Sequence, residues 1–262
     1  MDMHMNGKTA VVTGASKGIG LAVTRSLTDA GGHVVAGSRT LTKELKELEQ
    51  AGKVTFVAGD LTEPGAAPAL VDVAIERGGV DILVNNAGAL TPRPDGFLSI
   101  TDDDWNRAWT LGLMAAVRTT RAAVPAMVQQ GSGAIVMVGS VNAFLPDPAV
   151  LDYSVVKAAL TNLTKGLSKE VGPKGVRVNS VSPGPVSTDL WFGDAGVAQT
   201  LSSADGNDPQ SVADSAVADT PLGRFNTPQE VADLVTFLAS DRAANITGSD
   251  MTVDGGLITT VR

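Results

Sequence analysis

The stretch Lys8-Thr9-Ala10-Val11-Val12-Thr13-Gly14-Ala15-Ser16-Lys17-Gly18-Ile19-Gly20 decides the fold. Lys8–Thr13 is an apolar, β-branched run without polar alternation, the pattern of a strand buried on both faces. Glycines follow at 14, 18 and 20, and helical periodicity then runs over Gly18–Ala30. A glycine-rich turn between such a strand and a helix lets the backbone approach a pyrophosphate closely. The helix N-terminus offers that anion unpaired N–H groups and the positive end of a dipole. Glycine triplets also serve ordinary turns, and it is the strand–turn–helix context that makes this one a dinucleotide-binding turn.

Working outward, the same rhythm repeats. Strand-like runs at His33–Gly37, Val54–Ala58, Val80–Asn85, Ala134–Gly139, Val176–Val181 and Ser249–Val253 alternate with helical segments. The helical segments are Thr40–Gln50, Ala66–Arg77, Asp102–Gln130 and Leu151–Val171. This alternation predicts an α/β fold, a doubly wound parallel sheet of about seven strands in a single domain spanning residues 1–262. Thr227-Pro228-Gln229-Glu230 carries a capping box with proline at the first helical position, and Val231, Leu234, Val235 and Leu238 follow at helical spacing. The rhythm breaks at 187–220, rich in Ser, Ala, Asp and Gly and carrying Trp191 and Phe192. A stretch of that length is either a substrate lid or a disordered surface insertion.

Composition removes rival chemistries. The 262 residues contain no cysteine, two histidines and a single tyrosine, Tyr153. Thiolate nucleophiles, CxxC redox pairs and thiolate metal sites are excluded. His4 falls in the N-terminal tail and His33 in a strand-like run, which leaves little for a Ser-His-Asp triad or a histidine metal site, and no metal is expected. Twenty Lys+Arg against 28 Asp+Glu give a net charge of −8, contrary to the basic face that nucleic acid or an anionic membrane requires. No apolar run reaches the roughly 18 residues of a membrane span, and no signal peptide is visible in the sequence. A cytoplasmic setting fits the missing cysteines.

The end of the second strand selects between the two nicotinamide dinucleotides. An acidic residue there would accept hydrogen bonds from the adenosine ribose of NAD. The strand ends instead in Ser38-Arg39-Thr40. Arg39 can pair with a 2′-phosphate and stack on adenine, and Lys17 offers a second cation. Read as ordinary solvated charges, the two would say nothing. Read together they favour NADP(H), with NAD(H) possible.

Further features fall in order along the chain. Asn85-Asn86-Ala87-Gly88 ends the fourth strand, Gly139-Ser140 ends the fifth, and Tyr153-Ser154-Val155-Val156-Lys157 begins thirteen residues after Ser140. With the glycine turn, Asp60-Leu61-Thr62, Pro183-Gly184-Pro185-Val186-Ser187-Thr188 and Asp254-Gly255-Gly256, this pattern resembles the compact form of the short-chain dehydrogenase/reductase family over nearly the whole chain. The resemblance implies a Rossmann fold and ketone–alcohol interconversion. Residue chemistry agrees: Tyr153 and Lys157, four apart on a helix, share one face. A nearby ammonium favours the phenolate and lowers a pKa that is normally about 10. Tyr153 would exchange a proton with the substrate oxygen and Ser140 would hold that oxygen.

By resemblance, Gly14, Ser16, Lys17, Gly18, Ile19 and Gly20 hold the cofactor phosphates, with Ser38 and Arg39 at the adenosine phosphate. Asp60 and Leu61 lie near adenine, and Asn86, Ala87 and Gly88 line the adenosine side. Pro183, Gly184, Val186 and Thr188 embrace the nicotinamide, whose ribose Tyr153 and Lys157 reach. The resemblance also implies a homotetramer, or a homodimer. Val141, Phe144, Leu151 and Trp191 are expected at the substrate, in an apolar or mixed pocket or simply packing the loops. A free ketone or secondary alcohol, a 3-oxoacyl group on acyl carrier protein, and a noncatalytic NADP-binding regulatory role all remain open. One position departs from the family pattern: Gly112 stands where an asparagine usually holds a water behind the lysine. Water filling the space, another side chain substituting, or reduced activity are the three readings, the first preferred.

Overall fold

A computed structural model of the chain describes residues 3–260. Its strands are β1 (Thr9–Thr13), β2 (His33–Ser38), β3 (Val54–Ala58), β4 (Ile82–Asn85), β5 (Gly133–Val138), β6 (Val176–Pro183) and β7 (Asp250–Val253). They form one parallel sheet in the order β3-β2-β1-β4-β5-β6-β7. The helices are α1 (Gly18–Asp29), α2 (Lys43–Gln50), α3 (Ala66–Glu76), α4 (Asp102–Trp109), α5 (Ala115–Gln130) and α6 (Leu151–Val171). After them come α7 (Asp189–Phe192), α8 (Val197–Asp205), α9 (Pro209–Ala218) and α10 (Pro228–Ala239).

Val11 and Val12 show why β1 carries no alternation. Val11 packs with Val35, Leu83, Ile135 and Val178 beneath α3, α5 and α6. Val12 points to the other face, with Val34, Val84, Val136 and Val181 beneath α1 and α10. Both are fully buried, each burial contributing about 1.5–3 kcal/mol. The strand order reverses where β4 returns to lie against β1. The crevice beyond the C-terminal ends of these strands is the switch point at which open α/β sheets take ligands. Gly14, Arg39, Asp60, Asn86 and Gly184 each follow the C-terminal end of a strand and so arrive at this edge.

Two segments carry detail that the sequence pattern does not show. Asp102–Gln130 is not one α-helix: a π-helical turn, Thr110–Met114, separates α4 from α5 and is centred on Gly112. A π-turn widens the helix by one residue locally, and apolar periodicity cannot reveal it. The 187–220 stretch is not a disordered insertion but contains α7, α8 and α9. Val197 and Ala198 of α8 and Ala213 and Val217 of α9 are buried. Asp208 caps α9 by accepting from the Ser211 amide at 3.3 Å, with Pro209 at the first helical position. That Asp-Pro signal was present in the sequence, masked by low hydrophobicity.

Candidate active site

The glycine turn is locked to the end of β4. Asn86 Nδ2 donates to the main-chain oxygens of Thr13 at 3.0 Å and Gly14 at 3.2 Å. Thr13 Oγ1 accepts from the amides of Asn86 at 2.9 Å and Ala87 at 3.0 Å. Gly14 adopts φ +65°, and a Cβ there would lie 3.0 Å from Asn86 Nδ2 and 3.1 Å from Ala87 Cα. A Cβ on Gly20 would stand 2.2 Å from the Gly14 oxygen. Only glycine permits these backbones to approach. The tight strand–turn–helix junction they make, with the N-terminus of α1 behind it, is the backbone arrangement that a dinucleotide's phosphates need.

Around the turn, Thr188 Cγ2 would lie 3.3 Å from a Cβ on Gly18, so the segment after β6 closes over the glycine turn. The Lys17 ammonium reaches Asp189 Oδ2 at 3.5 Å, both side chains remaining largely exposed. Ser38 is buried and donates to the Thr40 oxygen at 2.9 Å, while Arg39 is exposed. The carboxylate of Asp60 is held below its ordinary range by the Thr62 amide and hydroxyl, with a smaller contribution from Arg39. Arg39 and Asp60 therefore lie within electrostatic reach of each other. Leu61 packs on Ala67 and Ala115. Ser16 is partly buried, its oxygen accepting from Thr42.

Ser140, Tyr153 and Lys157 come together at the end of β5. Ser140 follows that strand and its Oγ accepts from the Asn142 amide at 3.2 Å. The Tyr153 phenol lies close enough to Ser140 for that hydroxyl to favour its charged form. One turn along α6, Lys157 Nζ stands 5.5 Å from the Tyr153 ring centroid and donates to the Val138 oxygen at 2.6 Å. Nζ also lies 3.8 Å from a Cβ built on Gly88. Burial disfavours both charged forms: it raises the phenol above its ordinary value, against the Ser140 hydroxyl, and lowers the ammonium to about 8. This direction is opposite to the expectation of a lowered phenol, because desolvation outweighs the contribution of Ser140.

The space beside Gly112 is bounded by the helix that carries Tyr153 and Lys157. A Cβ there would meet Val156 Cγ1 at 2.5 Å, so the valine preceding Lys157 occupies it. Among the expected substrate residues, Val141 is buried and Leu151 partly so. Trp191 meets Phe225 edge-on at 5.1 Å, with Phe192 at 5.0 Å from the same ring. Phe144 lines a different place, a groove of about 580 Å³ with Thr161, Lys165 and Asp250, shared with none of the cofactor residues. Sequence reasoning missed Asn226. Its amide and side chain brace Pro185 and its oxygen accepts from Ser187, holding the segment that carries Val186. Forty residues of separation left no local signal for it.

These features invite comparison with known proteins. A family model described as enoyl-(acyl carrier protein) reductase matches residues 14–258. A 3-oxoacyl-[acyl-carrier-protein] reductase of Thermotoga maritima is 33% identical over 98% of this chain and 100% of its own length. The chain belongs to the short-chain dehydrogenase/reductase family. Within that family, an uncharacterised oxidoreductase of Bacillus subtilis, YvrD, is 34% identical over 98% of this chain and 99% of its own. L-sorbose reductase from Gluconobacter frateurii, crystallised with NADPH and L-sorbose, superposes with a TM-score of 0.90 at 37% identity, covering 100% of both chains. The short-chain dehydrogenase/reductase fold thus accounts for the whole sheet and both helical layers, and the chain is an oxidoreductase acting on CH–OH groups with a nicotinamide cofactor. Among the described residues, no helix is long and apolar enough to cross a membrane.

Proposed function

We propose that this chain reduces a neutral ketone to a secondary alcohol, and reverses that step, using NADP(H) in preference to NAD(H). The observation that carries the reading is the convergence of Ser140, Tyr153 and Lys157 at the end of β5. Ser140 orients the substrate oxygen, Tyr153 delivers or removes its proton, and Lys157 supplies positive charge one turn below. When bound, the nicotinamide supplies or accepts the hydride. Gly14 to Gly20 cradle the phosphates, Arg39 with Ser38 and Lys17 meets the 2′-phosphate, and Asn86 to Gly88 flank the adenosine side. Pro183, Gly184, Val186 and Thr188 cover the nicotinamide end, braced by Asn226. The cap formed by α7, α8 and α9 serves as the substrate lid.

A neutral substrate is supported by the pairing of Arg93. The cation of the loop after β4, Arg93, is already engaged by two aspartates, so it is not offered to an anion. The Thermotoga relative favours a second reading, reduction of a 3-oxoacyl thioester on a carrier protein. NADPH oxidation followed with cyclohexanone, L-sorbose and acetoacetyl-CoA separates the two. Turnover of the first or second above the third supports the neutral ketone, and the reverse supports the thioester. NADPH binding without turnover of any of them means a noncatalytic, regulatory protein.

The assembly we infer is a homotetramer, or a homodimer, in the cytoplasm. Among the described residues β7 pairs only with β6 and leaves a sheet edge that proteins normally cover. Beside it lies the groove holding Phe144, and Trp109 and Val155 are exposed on α4 and α6. Light scattering on the purified chain tests this, a monomeric mass overturning it.

A further inference from the structure

Helix α6 begins without an ordinary cap. Its first N–H groups have no acceptor one turn back, and the residue at the capping position, Val150, has no side-chain oxygen to offer. The carboxylate of Asp152 takes over part of that task. Asp152 Oδ1 accepts from the main-chain amide of Tyr153 at 3.0 Å. The carboxylate, in the first turn, also sits at the favourable end of the helix dipole.

The other oxygen of Asp152 is held by Arg93. Arg93 Nη2 donates to Oδ2 at 2.6 Å and Nε donates to the same atom at 3.2 Å. Asp152 is almost fully buried and Arg93 is 14% exposed. The third guanidinium nitrogen, Nη1, reaches Asp104 Oδ1 at 3.0 Å. Asp104 is itself the third residue of the capping box that starts α4, where its Oδ2 accepts from Thr101 Oγ1 at 2.7 Å. Those Thr101 bonds, with Arg93 adding to them, hold the Asp104 carboxyl down to about 2. The Arg93 amide also donates to the Ala149 oxygen at 2.7 Å, immediately ahead of α6. One residue therefore ties the loop after β4 to the starts of α4 and α6, and does so through the backbone of the residue that bears the phenol.

We propose that Arg93, acting with Asp152, is a positioning residue for Tyr153. The pair sets where the phenol stands relative to Ser140 and fixes the loop that walls the substrate side. The proposal rests on the ketone reductase reading above for its kinetic consequence, but not for its geometry. A planar guanidinium that holds two carboxylates at fixed angles is suited to such a task, and a lysine is not. A small displacement of a catalytic group costs up to about 10²-fold in rate.

Removing one partner alone would leave a buried charge unpaired and unfold the chain for reasons unrelated to position. The decisive variant is therefore Arg93→Met/Asp152→Leu, which replaces both by apolar groups. The expected results are retained folding, NADPH affinity within about twofold of wild type, and kcat lower by about 10- to 100-fold with the ketone that wild type turns over. The Arg93→Lys variant, which keeps the charge and loses the fork, falls between the two. Hydrogen exchange at the Tyr153 amide accelerates in the double variant. A folded double variant with unchanged kcat overturns the proposal. Should it not fold, unchanged kcat in Arg93→Lys overturns it equally. If wild type reduces none of the three probe ketones, the function reading fails. Exchange at the Tyr153 amide then decides the clamp, unaltered exchange in Arg93→Lys overturning it.

Discussion

Val156 Cγ1 lies 2.5 Å from the point where a Cβ on Gly112 would stand. The two residues form a close contact between the π-turn and the helix carrying Tyr153 and Lys157. Each is the complement of the other: the missing side chain on one helix admits the branched side chain on its neighbour. Gly112→Asn should therefore cost about 1–3 kcal/mol of stability by overpacking and lower kcat rather than raise it. Adding Val156→Ala should recover most of the lost stability. Urea unfolding of the two single variants and the double variant measures the coupling. Additive effects would mean that the contact is not what excludes a side chain at 112.

The phenol of Tyr153 feels the Ser140 hydroxyl, and no other tyrosine in the sequence could replace it. Tyr153→Phe keeps the ring and removes the hydroxyl. Turnover should fall by about 10²–10⁴-fold, while NADPH binding, monitored by cofactor fluorescence, should be unchanged because the phosphate cradle lies at β1. A variant retaining ordinary turnover would remove Tyr153 from the chemistry.

Arg39 is exposed at the end of β2 and feels Asp60. A charge-assisted contact to a phosphate is worth about 1.5–3 kcal/mol, or roughly 10- to 150-fold in affinity. Arg39→Asp should cut kcat/KM for NADPH by that factor and make NADH the better cofactor, since a carboxylate there can accept from the ribose hydroxyls. Steady-state kinetics with both cofactors is the measurement. An unchanged ratio would place the discrimination elsewhere.

Much of this arrangement could be read in the sequence because it depends on local rules. Val11 and Val12 announce a strand buried on both faces, Thr227 and Glu230 announce a helix start, and Gly14 and Gly20 announce a backbone that must approach another. Each signal lies within a few residues of what it controls. What escaped depends on distant partners or on a change of helical pitch. Arg93 meets Asp152 across 59 residues, and Asn226 meets Pro185 across 41. The π-turn at Gly112 keeps an apolar pattern that resembles an unbroken helix. The lowered phenol expected from the Tyr153–Lys157 spacing failed for a different reason, because spacing reports distance along a helix and not the desolvation that both groups meet there.

That desolvation gives a last prediction, on stability against pH. The Lys157 ammonium is lowered from 10.5 to about 8 by burial. Below pH 8 both the folded and the unfolded chain carry the proton, and the full penalty of burying the charge opposes folding. As pH rises through 8 the folded chain releases the proton while the unfolded chain keeps it until about 10.5. In that window the unfolded state binds more protons, so the contribution of this group to stability increases with pH by about 1.4 kcal/mol per unit. Lys157→Met has no proton to release and lacks this slope. Urea unfolding of both proteins from pH 7 to pH 10 should show the wild type gaining on the variant above pH 8, with the raised phenol of Tyr153 present in both. A difference between the two that does not vary with pH would show that the buried lysine titrates at its ordinary value.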